Sequence, residues 1–127
     1  MSSVFALATP ATKSALCVFR VSGYGCLDVF GSIFNEKLEE PRKFYQRSLV
    51  SGGVVIDKVG VVFFKGPSSY TGEDSFEIYA HGGLAVMASI VDLFKSVGFD
   101  EAGPGEFTKR AFINGKLSLS EAESVVD

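Results

Sequence analysis

The segment SFEIYAHGGLAVMASIVDLFKSVG, residues 75–98, changes its hydrophobic period at a pair of glycines. Before Gly82-Gly83, apolar and polar residues alternate, which is the period of a half-buried strand. After the glycines, apolar residues recur at helical spacing and would line one helical face; they are Met87, Ile90, Val91, Phe94 and Val97. Gly98 is a suitable stop for that helix. The segment therefore predicts a strand that is followed directly by a helix.

Patterns before this segment predict more strands. Residues 14–23 contain a short β-branched and apolar run that is typical of a buried strand, and residues 25–35 have helical spacing. Residues 35–47 form a charged connection, in which Pro41 disfavours helix. Residues 50–67 indicate two strands, of which 59–64 is the stronger, and the composition of residues 67–72 indicates a loop.

Two short helices are predicted after the segment. The first covers residues 105–113 and ends at Asn114-Gly115, a common left-handed cap. The second begins at Ser118, which forms a capping box with Glu121, and its buried side would carry Leu119, Ala122 and Val125 or Val126. Because a helix this short is marginal unless it is docked, we expect the chain to be a fragment that is cut inside this helix.

The composition fits one domain with an ordinary core. The chain has 127 residues, 46% of them hydrophobic, and a net charge of −3, which gives no reason to expect nucleic-acid binding by this domain alone. No stretch approaches the roughly 20 apolar residues of a membrane span, and the N-terminus lacks the features of a signal peptide. Cys17 and Cys26 fit no zinc motif, and we expect them to be reduced packing residues in a cytoplasmic protein.

The charged residues around the strand allow three interpretations. If residues 73–81 were helical, Asp74, Glu77 and His81 would share a face and could ligate a metal; on a strand, Glu77 and His81 lie roughly 13 Å apart. Acid–base catalysis by Glu77 and His81 would lack a neighbouring nucleophile. We expect His81 to be a satisfied structural residue, and Glu73 and Asp74 to be solvated or to cap a turn.

Three charged residues stay open between a surface role and ligand binding. Glu77 lies between Phe76 and Ile78 within the strand, where a charge is costly unless it faces solvent or a partner. Arg20 interrupts an apolar run, and Lys116 follows the Asn114-Gly115 cap. Together they could bind a ligand that carries carboxylates at one end and a guanidine-like edge at the other.

Four motifs resemble one family, the N-terminal domain of MnmE (also called TrmE), a tRNA-modification GTPase. The motifs are ALATP (6–10), FRVSG (19–23), SYTGEDSFEIYAHGG (69–83) and GPGEFTKRAFINGKLSLSEAES (103–124). The resemblance implies an α+β fold, a mixed β-sheet with helices packed on it, similar to folate-binding aminomethyltransferase domains. It also implies that residues 1–118 bind a tetrahydrofolate derivative of the 5-formyltetrahydrofolate type and form a homodimer. Residues 119–127 would then begin a helix leading to absent helical and GTPase domains.

The resemblance assigns the folate contacts to the three residues that the charges had left open: Arg20, Glu77 and Lys116. It implies no catalytic or metal-binding residue in this domain. GTP, Mg²⁺ and K⁺ would bind only in the absent GTPase domain, so this chain alone would be inactive, and it contains no phosphate-binding loop motif G-x-x-x-x-G-K-[ST]. The whole protein would act in the cytoplasm, without a membrane. With its FAD-dependent partner MnmG (GidA), it would modify the wobble uridine of tRNA, with tRNA bound by the full-length complex.

One stretch departs from the family pattern. The family usually has a glycine-rich sequence before the arginine, whereas this chain reads TPATKSALCVFRVSG, with Thr12, Ser14, Ala15 and Cys17 at the usual glycine positions. Glycine permits a close backbone approach and positive φ, so the altered loop 11–17 affects the expected folate affinity. The alternative is a purely structural dimerisation module with a degenerate folate site.

Overall fold

The structure is a computed structural model that describes residues 2–9 and 15–125. This part of the chain contains six strands and four α-helices. The strands are β1 Val4–Leu7, β2 Leu16–Ser22, β3 Tyr45–Ser51, β4 Val54–Phe64, β5 Ser75–His81 and β6 Asp100–Glu101. The helices are α1 Phe30–Ile33, which follows the 3-10 turn Cys26–Val29, α2 Leu84–Ser96, α3 Glu106–Ile113 and α4 Leu119–Ser124.

All six strands belong to one mixed sheet, whose order is β3-β4-β5-β2-β1-β6. Neighbouring strands are antiparallel except β1 and β6, which are parallel. The predicted α+β class, a mixed β-sheet with helices packed on it, is confirmed. The strand predicted from the alternation in residues 75–81 is β5, at the centre of this sheet between β4 and β2.

One face of the sheet carries the aromatic core. Phe76 and Ile78 of β5 are fully buried there, and the Phe94 ring of α2 packs edge-on against Phe76 with 6.1 Å between ring centroids. Phe30 of α1 lies 5.0 Å from the same Phe76 ring. Burying a phenylalanine of this kind contributes about 1.5–3 kcal/mol, so α1 and α2 are held to this face by ring contacts.

The other face is defined by the pairing of β5 with β2. Arg20 lies directly opposite Glu77, and Ser22 lies opposite Ser75. Because side chains alternate along each strand, these four residues point away from the aromatic core. Phe107 of α3 lies beside them, with the Arg20 guanidinium 6.0 Å from its ring centroid. The two faces therefore differ: one is apolar and closed, and the other is polar.

The assignment of residues 35–67 needs a correction. Residues 45–47 were predicted to belong to a charged connection, but they are the start of β3, and Val54–Phe64 is a single eleven-residue strand. The turn between β3 and β4 is Gly52-Gly53, and both glycines have positive φ (56° and 81°), as a tight two-residue hairpin requires. The double glycine marks the hairpin turn, so the first strand lies before it and the second after it.

The buried side predicted for the last helix is also wrong. Its capping box is present, since Ser118 accepts from the Glu121 N–H and Glu121 accepts from the Ser118 N–H. However, Leu119 is 58% exposed and Val125 is 39% exposed, while Val126 lies outside the described residues. Local capping explains the start of α4, and among the described residues of the predicted buried side only Ala122 is half-buried.

The two helices predicted after the double glycine and after residue 105 are confirmed within a residue or two, whereas the predicted helix 25–35 is the 3-10 turn Cys26–Val29 followed by the short α1. α2 begins at Leu84 and its C-cap precedes Gly98, which has a φ of 94°. α3 ends at the predicted Asn114-Gly115 cap.

Both cysteines are free and buried. Burial, followed by the charge of Asp74, raises the pKa of the Cys26 thiol to about 12, so this thiol is not activated as a nucleophile.

Candidate functional site

The centre of the candidate site is an ion pair across two central strands. Arg20 on β2 donates from Nε to Glu77 Oε2 on β5 over 3.0 Å. The two side chains remain 42% and 21% exposed, so the pair faces an open space and not the core. Direct cross-strand pairing fixes both backbones, which positions the two charged groups side by side.

A tyrosine completes the polar cluster on β5. The Tyr79 hydroxyl donates to the second oxygen of Glu77, Oε1, over 2.7 Å. Burial, and then the hydrogen bond to Glu77, raise the pKa of Tyr79 to about 12, so the phenol keeps its proton. Glu77 is therefore held through both carboxylate oxygens, and each oxygen retains a lone pair for a further donor.

A cavity of about 660 Å³ lies over this cluster. Its volume falls in the range of small-molecule sites, roughly 300–1,000 Å³. Strands β2, β4 and β5 provide its floor, and the loop before β5 and helix α3 provide its walls. The residues that line it are Arg20, Ser22, Arg42, Phe64, Ser68, Ser69, Tyr70, Thr71, Ser75, Glu77, Phe107, Lys116 and Val125.

Lys116 reaches the cavity because a glycine lets two loops meet. Gly72 has a φ of 83°, and a Cβ atom there would lie 2.9 Å from Cβ of Asn114 and 3.3 Å from Cγ of Lys116. The side-chain amide of Asn114 donates to the Thr71 carbonyl over 2.8 Å, which ties the end of α3 to the same loop. A side chain at position 72 would push the Lys116 segment away from the cavity.

The structure thus brings all three sequence-predicted site residues, Arg20, Glu77 and Lys116, to one cavity. The lining carries three cations (Arg20, Arg42 and Lys116) against one carboxylate (Glu77). Phe64, Tyr70 and Phe107 add aromatic surface. The site is therefore locally cationic in a chain whose net charge is −3, and it suits a planar ligand with both N–H donors and anionic groups.

Glu73 is neither solvated nor a turn cap, contrary to the expectation. It is 1% exposed and accepts from Arg110 Nη1 over 3.1 Å and from the Ser22 hydroxyl over 2.8 Å. Arg110, itself 2% exposed, also donates to the Ser2 carbonyl and to Glu106. This buried pair fixes α3 to the sheet and to the loop before β5, so it supports the wall of the cavity.

The other two charged residues of the cluster have local structural roles. Asp74 accepts from the Gly66 N–H over 2.9 Å, as a turn-capping carboxylate does. The His81 ring nitrogen Nδ1 lies 2.8 Å from Asp57, at the far end of β5 from the cavity. Among residues 2–9 and 15–125, no group of three or more His, Cys, Asp and Glu is arranged to hold a metal ion.

Sequence reasoning missed three contributors to the site. Tyr79 shares the outward face of the strand with Glu77, so the alternation could have indicated it. Arg110 lies at helical spacing from Phe107, which could have suggested that both face the protein. Arg42 had no signal in the sequence, because it belongs to a charged segment without periodicity. Of the altered loop, residues 11–14 lie outside the described residues, whereas Cys17 is buried in β2.

The family model described as "GTP-binding protein TrmE N-terminus" matches residues 3–116, which include every element from β1 to α3 and all three predicted site residues. The chain belongs to this TrmE N-terminal family. The family resemblance drawn from the four sequence motifs is therefore confirmed.

Individual relatives of this TrmE N-terminal domain agree with the family match. It is 45% identical over 125 residues to the tRNA modification GTPase MnmE of Pseudothermotoga lettingae, covering 97% of this chain and 28% of the relative. It is 44% identical to the Caulobacter vibrioides protein of the same name (98% and 28%) and 42% identical to that of Thermotoga maritima (100% and 28%). The chain thus spans less than a third of the length of these relatives.

No helix among residues 2–9 and 15–125 of this TrmE N-terminal domain combines the length and the apolar character needed to cross a membrane.

Proposed function

We propose that this domain binds a tetrahydrofolate derivative of the 5-formyltetrahydrofolate type in the cavity over Arg20 and Glu77. The observation that carries the proposal is the placement of the Arg20–Glu77 pair in a cavity of about 660 Å³ with a cationic and aromatic lining. A folate combines a flat ring bearing N–H groups with terminal carboxylates, and this lining offers a partner for each.

Glu77 is the residue that recognises the ring in this proposal. A carboxylate accepts a pair of parallel N–H donors, such as the amino group and a ring N–H of a pterin. Tyr79 and Arg20 hold the carboxylate in place from the sheet side, so it is preorganised before the ligand binds. Phe107 offers an aromatic surface on which a ring can stack.

Arg20 and Lys116 supply positive charge for the polar atoms and carboxylates of the ligand. Arg20 keeps 42% of its side chain exposed although Glu77 accepts from its Nε, so its terminal nitrogens remain accessible to a ligand. Lys116 also lines the cavity, where the Gly72 contact holds its segment against the loop before β5.

Thermal unfolding tests this proposal. Because a ligand that binds only the folded state stabilises it by mass action, 5-formyltetrahydrofolate at about a hundredfold excess over Kd should raise Tm by roughly 10 °C. Glu77→Ala should abolish the shift. Glu101→Ala is the matched control, since Glu101 forms an exposed ion pair with Lys95 outside the cavity and its loss should leave the shift intact. No shift of the unmodified protein at millimolar folate would refute the binding.

The domain also forms a homodimer in this proposal. Exposed apolar side chains along α3 and α4, including Ile113 at 54% and Leu119 at 58%, support an association surface. Light scattering should give twice the monomer mass. A dimer that shows no thermal response to folate would support the alternative, a purely structural dimerisation module with a degenerate folate site.

The name of the relatives, tRNA modification GTPase MnmE, supports the coarse part of a proposal for a protein of their length. We propose that a chain of their length is a cytoplasmic tRNA-modification GTPase that binds GTP, Mg²⁺ and K⁺ in a further domain. It would modify the wobble uridine with the FAD-dependent partner MnmG, using the folate as a one-carbon donor. The present domain would contribute folate binding and dimerisation, and would have no GTPase activity alone.

A further inference from the structure

We propose that Arg42 is a further carboxylate-binding residue of the cavity, beside Arg20 and Lys116, and holds the acidic tail of the ligand at the β4 side of the site. The inference rests on the proposed folate-type binding at the same cavity and adds how the two ends of the ligand are told apart. Three observations carry it: the backbone of Arg42, the partners of its side chain, and its position relative to Glu77.

The backbone of Arg42 adopts a conformation that arginine rarely takes. Its φ is 63°, and among the described non-glycine residues it alone has a positive φ. The conformation is held by a hydrogen bond from the Arg42 N–H to the Phe63 carbonyl over 2.8 Å. A glycine would adopt this turn without steric cost. Unfavourable backbone conformations of this kind cluster at functional sites, where the side chain has a use that the turn itself does not require.

The side chain of Arg42 is directed to the cavity and lacks an anionic partner. Its guanidinium lies over the Phe64 ring, 5.7 Å from the centroid, and both residues line the cavity. Among residues 2–9 and 15–125, no hydrogen bond or ion pair engages that guanidinium, whereas Arg20 pairs with Glu77 and Lys65 lies 3.8 Å from Asp74. Arg42 thus presents its donors for an external acceptor.

Arg20 lies on the β2 side of the cavity, whereas the Arg42 guanidinium lies over Phe64 on the β4 side. Phe64 on β4 lies opposite Ser75 on β5, and Ser75 lies opposite Ser22 on β2. Since neighbouring strands are about 4.8 Å apart, the β4 side lies roughly 10 Å from the β2 side that carries Arg20. Glu77 lies on β5, between these two strands, so a ligand whose ring meets Glu77 and whose acidic group extends across β4 would reach Arg42.

The chemistry of the guanidinium specifies the class of that acidic group. Arginine binds a carboxylate through two parallel N–H donors of its planar guanidinium, and the Phe64 ring beneath Arg42 fixes the plane of that group. The ligand class is therefore a heteroaromatic ring joined through a spacer to one or more carboxylates. For a folate these are the carboxylates of its glutamate tail.

Calorimetric titration with two probes tests the assignment. The first probe is 5-formyltetrahydrofolate, and the second is 6-methyltetrahydropterin, which has the ring system without the aminobenzoyl-glutamate tail. Arg42→Ala should weaken binding of the first probe about tenfold, the low end expected for a partly exposed charged hydrogen bond, and should leave the second unchanged. Arg42→Lys should recover part of the loss, because lysine keeps the positive charge but lacks the two parallel N–H donors.

Lys43→Ala is the matched control. Lys43 is the adjacent cation, but its ammonium lies over the Tyr45 ring and it does not line the cavity, so both probes should bind this variant as they bind the unmodified protein. Arg42→Gly relieves the backbone strain, so a variant that folds at least as stably and still loses the first probe supports the assignment.

Two results would overturn the inference while leaving the proposed function standing. One is equal binding of 5-formyltetrahydrofolate to the unmodified protein and to Arg42→Ala. The other is an equal loss of both probes in Arg42→Ala, which would indicate a general effect on the fold. Failure of the unmodified protein to bind the folate at all would instead refute the proposed function, and the inference with it.

Discussion

The ion pairs Arg110–Glu73 and Arg20–Glu77 consist of the same two residue types in two different environments. The first pair is 2% and 1% exposed and is surrounded by protein acceptors and donors; the second is 42% and 21% exposed and faces a cavity. A buried ion pair with all its hydrogen bonds made within the protein has no capacity left for a ligand. A half-exposed pair at a cavity keeps that capacity, and this difference separates a structural role from a binding role.

The largest expected effect comes from the same substitution at both glutamates. Glu73→Gln should lower the free energy of unfolding by about 3 kcal/mol, because it leaves the buried Arg110 charge with only the partly exposed carboxylate of Glu106. Glu77→Gln should lower it by less than about 1 kcal/mol, since a half-exposed pair is worth little. Urea denaturation of both variants measures the difference. Equal losses would break the distinction between the two pairs.

A smaller effect is expected at Tyr79, which holds Glu77 from the sheet side. Tyr79→Phe removes one hydrogen bond to a carboxylate and should reduce stability by about 1 kcal/mol. Since the folded-state pKa of Tyr79, about 12, lies above its ordinary value of 10, the stabilisation is present below pH 10 and is lost as pH rises from 10 to 12. The difference in stability between wild type and Tyr79→Phe should therefore shrink over that range.

Denaturation of the two proteins at pH 8, 10 and 11.5 measures this change, and Tyr24→Phe serves as the control because Tyr24 is 67% exposed. A difference that stays constant up to pH 11.5 would contradict the assigned role of the phenol.

The smallest effect concerns Glu106, the second carboxylate on Arg110. The backbone N–H of Gly103, and then the Arg110 guanidinium, hold the pKa of Glu106 below its ordinary value. Because the pKa of Glu106 is lowered in the folded state, the ionised carboxylate stabilises the fold at pH values above about 4.5, and this stabilisation is lost as the pH falls below that value. Glu106→Gln should therefore make the stability curve flatter between pH 5 and pH 3 than that of the wild type.

Acid titration followed by circular dichroism gives the two curves. Glu123→Gln is a suitable control, because Glu123 is an exposed residue of α4 for which no partner is found within residues 2–9 and 15–125. Parallel curves for wild type and Glu106→Gln would show that Glu106 does not take part in the buried network.

Local sequence patterns are sufficient to predict several strands, helices and helix ends of this protein. The alternation in residues 75–81 and the helical spacing after Gly83 predicted β5 and α2, because the periods of strand and helix differ and each leaves one apolar side. The capping box at Ser118 and the stop at Asn114-Gly115 depend on hydrogen bonds between near neighbours, so they too were predictable. The motifs identify the family, and the sequence alone indicates Arg20, Glu77 and Lys116 as candidate site residues.

Which charges face each other depends on long-range contacts that the local sequence does not reveal. Glu73 and Arg110 are 37 residues apart, and Arg20 and Glu77 are 57 apart, so their pairing depends on the strand register and on how α3 packs. Nothing in the local sequence distinguishes Glu73 from a solvated loop carboxylate, nor Arg42 from any cation of a charged connection. The sequence contains the charged groups, but long-range packing determines which of them form buried ion pairs and which stay exposed at the cavity, where a ligand can contact them.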